Sequence, residues 1–185
     1  MTDTDARARS YLVQFSLEYY VAGRFAALKG LHRVAPAILH RAVEFILKAA
    51  LARTHSLAKL KQEHSHDLES LWQAAAQEIS TLKTSLRDRT IADLNKFRDL
   101  IYPDNLIAQG ASVTIGIRSG QDPVVSGSQP SSGPSYRFNL EDVDELWAAV
   151  FQRVANAPAF LQHLSPGART ALDAENHHPI APPSQ

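Results

Sequence analysis

Side chains that could bind or transform an anion are concentrated between positions 33 and 67 of the sequence. Arg41, Glu44 and Lys48 follow one another at spacings of three and four residues, so they share one face of a helix. Glu44 and Lys48 alone would make an ordinary i,i+4 ion pair that stabilises the helix. Together with Arg41, and with His66 and Asp67 further along the chain, they could instead line a groove that binds a phosphate.

Histidines could also suggest a metal site, because His64 and His66 flank Ser65. Two imidazoles do not complete a metal site, and the sequence places no third ligand at a fixed helical offset from both. We therefore predict no metal and no cofactor. The sequence also has no nucleophile elbow, no phosphate-binding Gly-rich loop and no dinucleotide-binding Gly motif.

The composition is that of an ordinary globular protein. The chain has 185 residues, of which 44% are hydrophobic and 21% charged, and its formal net charge is zero. This balance argues against binding of nucleic acid or membrane through global charge, although a local patch remains open. The absence of cysteine excludes disulfides, zinc ribbons and iron–sulfur clusters. With no apolar signal core and no stretch able to cross a bilayer, we expect a cytoplasmic protein without membrane contact.

Charge is distributed unevenly along the chain. Residues 23–61 hold eight basic side chains and a single acid, Glu44, whereas acids prevail after Ser135. A basic face and an acidic end could serve an anionic ligand or attract each other within a dimer. They could equally be solvated faces that keep the protein soluble.

Apolar residues recur with helical spacing over most of the chain. The pattern predicts helices at about 5–29, 36–53, 56–62, 65–79, 90–102, 140–156 and 158–164. The first helix carries one apolar stripe, and the second is apolar on most sides, which places it centrally in a bundle. Trp72 and Trp147 lie on apolar stripes and are expected in the core. The stripe of the first helix consists of Leu12, Phe15, Tyr19, Ala22 and Phe25.

Residues 111–118 alternate apolar and small or polar side chains, which is the periodicity of a strand. Tyr136 to Phe138 would be the return strand of a β-hairpin arm at about 111–138. The predicted fold is mostly all-α, an up-and-down bundle of four to five helices with this small arm before the last long helix. We expect a single domain over 1–165 and a flexible C-terminal tail over 166–185.

Three segments resemble the HEPN (higher eukaryotes and prokaryotes nucleotide-binding) superfamily. They are the helix with Glu44 and Lys48, the string His64-Ser-His-Asp-Leu-Glu-Ser-Leu-Trp72, and Leu94-Asn-Lys-Phe-Arg-Asp-Leu-Ile-Tyr-Pro-Asp104. The resemblance implies a helical bundle that dimerises and is linked to nucleotides or RNA. It predicts ligand contacts from Arg41, Glu44, Lys48, His66, Asp67 and Tyr102.

Many HEPN proteins are ribonucleases of toxin–antitoxin or defence systems, and others are inactive and support a nucleotidyltransferase. The ribonucleases carry an Arg followed after four to six residues by a His, usually late in the bundle. Here only Arg33 and His40 match this spacing, with Pro36 between them and early in the chain. Ile101 also replaces an Arg that relatives commonly have before the Tyr. We therefore predict a non-catalytic domain that binds a nucleotide or RNA and acts as a dimeric interaction module, with a nucleotidyltransferase or an antitoxin as a possible partner. The alternatives are a metal-independent ribonuclease of a toxin or defence system and a partner subunit of a nucleotidyltransferase.

Overall fold

The computed structural model describes residues 3–98, 112–117 and 135–174. In chain order the helices are α1 (Asp3–Leu28), α2 (Ala35–Leu51), α3 (Leu57–His64), α4 (Leu68–Glu78) and α5 (Ser85–Lys96), with a 3-10 turn at Ser80–Leu82. Strands β1 (Ser112–Gly116) and β2 (Ser135–Asn139) precede α6 (Leu140–Val154), α7 (Ala157–Leu161) and α8 (Pro166–Asp173). The predicted all-α bundle with a small strand arm is confirmed.

Helix α2 forms the centre of the bundle. Pro36 lies in its first turn, where the missing N–H removes no hydrogen bond, and its apolar side chains are buried around most of the helix. α2 contacts α1, α4 and α6. Leu39 and Leu47 of α2 share one continuous core with Leu71 and Trp72 of α4, as the sequence predicted.

Helix α1 packs on α2 with a face that the apolar stripe did not identify. Phe15, Tyr19 and Phe25 of that stripe are exposed, whereas Leu17 and Tyr20 enter the core. The buried face was hidden from the sequence because it also carries Ser16 and Arg24, two polar residues that become buried only with specific partners.

The two strands run parallel, with Ser112 opposite Ser135 and Gly116 opposite Asn139, so the predicted β-hairpin is wrong. Residues 117–134 are long enough to return the chain to the starting end, since parallel strands need a connection of about a dozen residues or more. Strand β2 packs against α5 through Phe97, which contacts the rings of Tyr136 and Phe138.

Residues 166–173 of the expected flexible tail form α8, and the rest of that tail after Ala174 lies outside the described residues. Ser165 caps α8 by accepting a hydrogen bond from the backbone N–H of Ala168, and Leu172 is buried in the core. α8 is held in place because the buried side chain of Arg24, described below, donates hydrogen bonds to the carbonyl oxygens at its C-terminal end. Among the described residues, no helix combines the length and apolar character needed to cross a bilayer.

Candidate anion-binding site

The carboxylate of Glu44 is the centre of a polar cluster on α2. Its Oε2 accepts a hydrogen bond from Arg41 at 2.8 Å, and its Oε1 accepts one from Lys48 Nζ at 2.6 Å. The spacing of three and four residues brings both cations over the same carboxylate, as the sequence suggested. Glu44 itself is buried, with 1% of its side chain exposed, so the two cations cover it.

The loop between α3 and α4 closes the other side of the cluster. Lys48 Nζ donates to the carbonyl oxygen of Ser65 at 2.8 Å. Ser65 has a φ of +46°, a conformation that L-residues rarely adopt, and it is the only such non-glycine residue in the described part of the chain. The Lys48 contact therefore holds a strained turn against α2.

His66 follows that turn and contacts both charges of the cluster. Its Nδ1 lies 2.7 Å from an Arg41 nitrogen and 2.9 Å from Glu44 Oε1. Arg41 can only donate, so an unprotonated Nδ1 accepts from Arg41, whereas a protonated Nδ1 donates to Glu44. The two bonds exclude each other, and whenever Nδ1 carries a hydrogen one Arg41 N–H is left for another acceptor.

The pKa of Glu44 reflects these contacts. Burial by itself raises the pKa of the carboxyl group, but the hydrogen bonds from Lys48 and His66 and the charges of Lys48 and Arg41 outweigh it and lower the pKa below its usual value. The carboxylate is therefore ionised at neutral pH. Because it neutralises only one of two cations, the cluster keeps an excess positive charge.

Asp67 has a structural role rather than a contact with this cluster. Its carboxylate caps α4 by accepting hydrogen bonds from the backbone N–H groups of Glu69 and Ser70, and it also accepts one from Asn95 Nδ2 at 3.2 Å. Asp67 was expected inside the first turn of the helix but is its N-cap. It thus anchors the turn that presents His66.

His40 lies one helical turn before Glu44 and is fully buried, and neither ring nitrogen has a hydrogen-bond partner among the described residues. Its pKa is lowered to about 4, mainly by burial, with the charge of Glu44 opposing the shift and those of Arg41 and Arg98 adding to it. Arg98, exposed two residues after the end of α5, is a cation near His40 that the sequence did not reveal. Arg33 is exposed in the turn between α1 and α2. The structure therefore does not combine Arg33 and His40 into one accessible site.

The remaining predicted ligand contact, Tyr102, lies outside the described residues. His64, considered above as a metal ligand, instead pairs with Ser70 Oγ at 2.7 Å. Within the described ranges, no three His, Asp or Glu side chains are grouped closely enough to hold a metal ion.

A second polar network is buried between α1 and α6. Arg24 Nε lies 3.0 Å from both carboxylate oxygens of Asp144, and Tyr20 donates to Asp144 Oδ1 at 2.5 Å. The guanidinium also donates to the carbonyl oxygens of Ala171, Leu172 and Ala174 at the end of α8. Arg24 belonged to the predicted basic region, but here it is a core residue and is not available to a ligand.

Comparison of the chain with protein-family models, with curated proteins and with solved structures finds no significant match.

Proposed function

We propose that this protein is a non-catalytic, HEPN-like domain that binds the phosphate of a nucleotide or RNA at the cluster of Arg41, Lys48 and His66, and that it acts as a dimeric interaction module. The observation that carries the proposal is the convergence of two permanent cations on one buried carboxylate. The arrangement holds both cations in place and leaves net positive charge at the surface.

The exposure of the cluster suits reversible binding of an anion. Arg41 keeps 29% of its side chain exposed and His66 keeps 48%, while Glu44 is sealed beneath them. An incoming phosphate would therefore meet donors rather than the carboxylate. Guanidinium groups bind phosphate through parallel N–H donors, so Arg41 is the side chain best suited to first contact.

The resemblance to HEPN proteins is the reason for proposing that the bound phosphate belongs to a nucleotide or an RNA. It also motivates a partner of the nucleotidyltransferase or antitoxin kind, which stays a prediction. The ribonuclease alternative gains no support from an exposed Arg33 and a buried, unprotonated His40, because general acid–base catalysis needs an imidazole within reach of the reacting atoms.

Thermal melting tests the proposal when inorganic phosphate, nucleotides and short single-stranded RNA are each added to the protein. A ligand at about a hundred times its dissociation constant stabilises the fold by roughly 2.7 kcal/mol. We expect at least one of these ligands to raise the melting temperature of the wild type and to have a much smaller effect on Arg41→Ala. Arg41 is a better target than Lys48, whose removal would also free the strained turn at Ser65.

Lys83→Ala is the matched control, since it removes an exposed cation from the connector between α4 and α5. α4 begins beside the cluster and runs for 11 residues, so its far end is roughly 16 Å away. A ligand response that Lys83→Ala abolishes and Arg41→Ala leaves intact, or no response to millimolar ligand, would refute the proposal.

A further inference from the structure

The outer surface of α1 and α2 carries a cluster of aromatic rings. Tyr11, Phe15 and Tyr19 are 54%, 46% and 40% exposed. Phe15 and Tyr19 both contact Phe45 of α2, with ring centroids 5.9 and 5.5 Å apart, and Tyr11 stacks on Phe15 at 6.4 Å. We call these four residues the ring surface. Contiguous exposed apolar side chains are a feature of interaction sites.

The ring surface has an acidic edge and a basic edge. On the α1 side lies Glu18, hydrogen-bonded only to Gln14 in the described structure, beside a cleft formed with Phe160 and His163. On the α2 side lie Arg41 and Lys48, which face the loop before α4. The rings thus separate an unneutralised acid from a cluster with excess positive charge.

The register of α1 against α2 places these edges at the same height. The two helices are antiparallel, with Gly23 beside Leu39. Glu18 lies five residues before Gly23 on α1, and Glu44 lies five residues after Leu39 on α2. Because the helices are antiparallel, Glu18 and Glu44 are level with each other along the helix axes. Arg41 and Lys48 lie three and four residues to either side of that level, which is about 4.5 and 6 Å along the axis.

We infer that a second copy of this chain covers the ring surface, about a two-fold axis that lies in the interface and runs parallel to α1. Such an axis places α1 of one copy over α2 of the other and preserves height along the helices. The partner's Glu18 then falls between Arg41 and Lys48, twice by symmetry, around a centre of eight aromatic rings. An axis across the helices would instead oppose like charges.

This inference names the surface of the dimer and rests on the dimeric part of the proposed function. It adds one consequence, because the partner's Glu18 and a phosphate would use the same two cations. Anion binding and dimerisation therefore oppose each other, and by linkage each weakens the other by the same factor.

Sedimentation equilibrium of the wild type without ligand tests the surface, with Phe15→Ala and Leu57→Ala as a matched pair. Both variants remove an exposed apolar side chain, but Leu57 is at the start of α3, whereas the rings lie on α1 and α2. We expect a dimer whose dissociation constant rises at least about tenfold in Phe15→Ala and is unchanged in Leu57→Ala.

Because the chain has no cysteine, cross-linking can test the orientation. Glu18→Cys and Arg41→Cys proteins, mixed and treated with a short bis-maleimide, should yield a mixed dimer in preference to either homodimer. A monomeric wild type, a dimer insensitive to Phe15→Ala, or rings that bind RNA in a monomer would overturn the inference. The anion-binding proposal is tested separately, by measuring anion binding to the dilute monomer.

Discussion

Lys48 Nζ lies 2.6 Å from the carboxylate of Glu44 and, at 2.8 Å, also holds the carbonyl of Ser65. One lysine thus joins the central helix to the strained turn before α4. The same group that compensates a buried carboxylate also positions the loop that presents His66. Stability and the proposed anion site are therefore coupled through Glu44.

Glu44→Gln should destabilise the fold by about 2 to 3 kcal/mol. Breaking a buried ion pair costs roughly 3–5 kcal/mol because a buried charge is left unpaired, and the partial exposure of Arg41 and Lys48 reduces that cost. Urea unfolding measures the change. As a control, Asp93→Asn removes an exposed pair with Lys96 and should cost less than about 1 kcal/mol. Equal losses in the two variants would contradict the role of Glu44.

His40→Leu should flatten the acid side of the stability profile. In the folded protein the pKa of His40 is about 4, against an ordinary value of 6.5. Below pH 6.5 the imidazole of His40 is protonated in the unfolded chain but stays neutral in the folded protein. The free energy of unfolding therefore falls as the pH drops from 6.5 to about 4. The shift corresponds to a loss of about 3 kcal/mol.

At pH 7 the His40→Leu protein should be at least as stable as the wild type, because both imidazole nitrogens are buried and find no hydrogen-bond partner in the part of the chain that the structure describes. Glu44, whose pKa is lowered, contributes stability that is lost only at still lower pH, below its ordinary value of 4.5. Chemical unfolding at a series of pH values separates the two effects. Parallel profiles for wild type and His40→Leu would show that His40 is not the titrating group.

Gly23→Ala and Gly167→Ala should have opposite effects. A Cβ at position 23 would lie 2.7 Å from Leu39 Cδ2, whereas one at position 167 meets nothing within 4 Å. Overpacking costs about 1–3 kcal/mol, while alanine in place of glycine in an open helix gains up to about 1 kcal/mol. Thermal unfolding of both proteins checks the pair, and tolerance of Gly23→Ala would mean that α1 and α2 are less closely packed.

Asp144→Asn should cost about 3 kcal/mol or more, since it leaves the buried guanidinium of Arg24 without its counter-charge. Because Arg24 also holds the last carbonyls of α8, hydrogen exchange should accelerate at 166–174 in this variant. Glu145→Gln, at the next position, loses a partly exposed pair with Arg87 and should leave exchange in α8 unchanged. Unaltered protection of α8 in Asp144→Asn would contradict the claim that Arg24, held by Asp144, stabilises α8.

The sequence predicted what local spacing determines. Arg41, Glu44 and Lys48 share a face by helical geometry alone, and the apolar sides of α2 and α4 indicated the core. His66 was included because of a resemblance, and the structure brings it to Glu44 across 22 positions.

Pairings across long distances could not be predicted. Arg24 meets Asp144 at a separation of 120 positions, and nothing in either neighbourhood indicates it. The face of α1 that enters the core is the one that carries Arg24. Because this pairing could not be predicted, the apolar stripe with Phe15 and Tyr19 looked like the core face. The direction of β2 was missed because strand periodicity carries no information on whether neighbouring strands are parallel.

The salt dependence of RNA binding tests the central claim most directly. Fluorescence anisotropy of a labelled single-stranded RNA gives the association constant at several salt concentrations, and one phosphate neutralised by the excess positive charge of the cluster predicts a log–log slope of about −0.7. Arg41→Ala should reduce the magnitude of the slope by about 0.7, and Lys83→Ala should leave the slope unchanged. An absence of binding, or a slope that Arg41→Ala leaves as it is, would contradict an anion site at Arg41, Lys48 and His66.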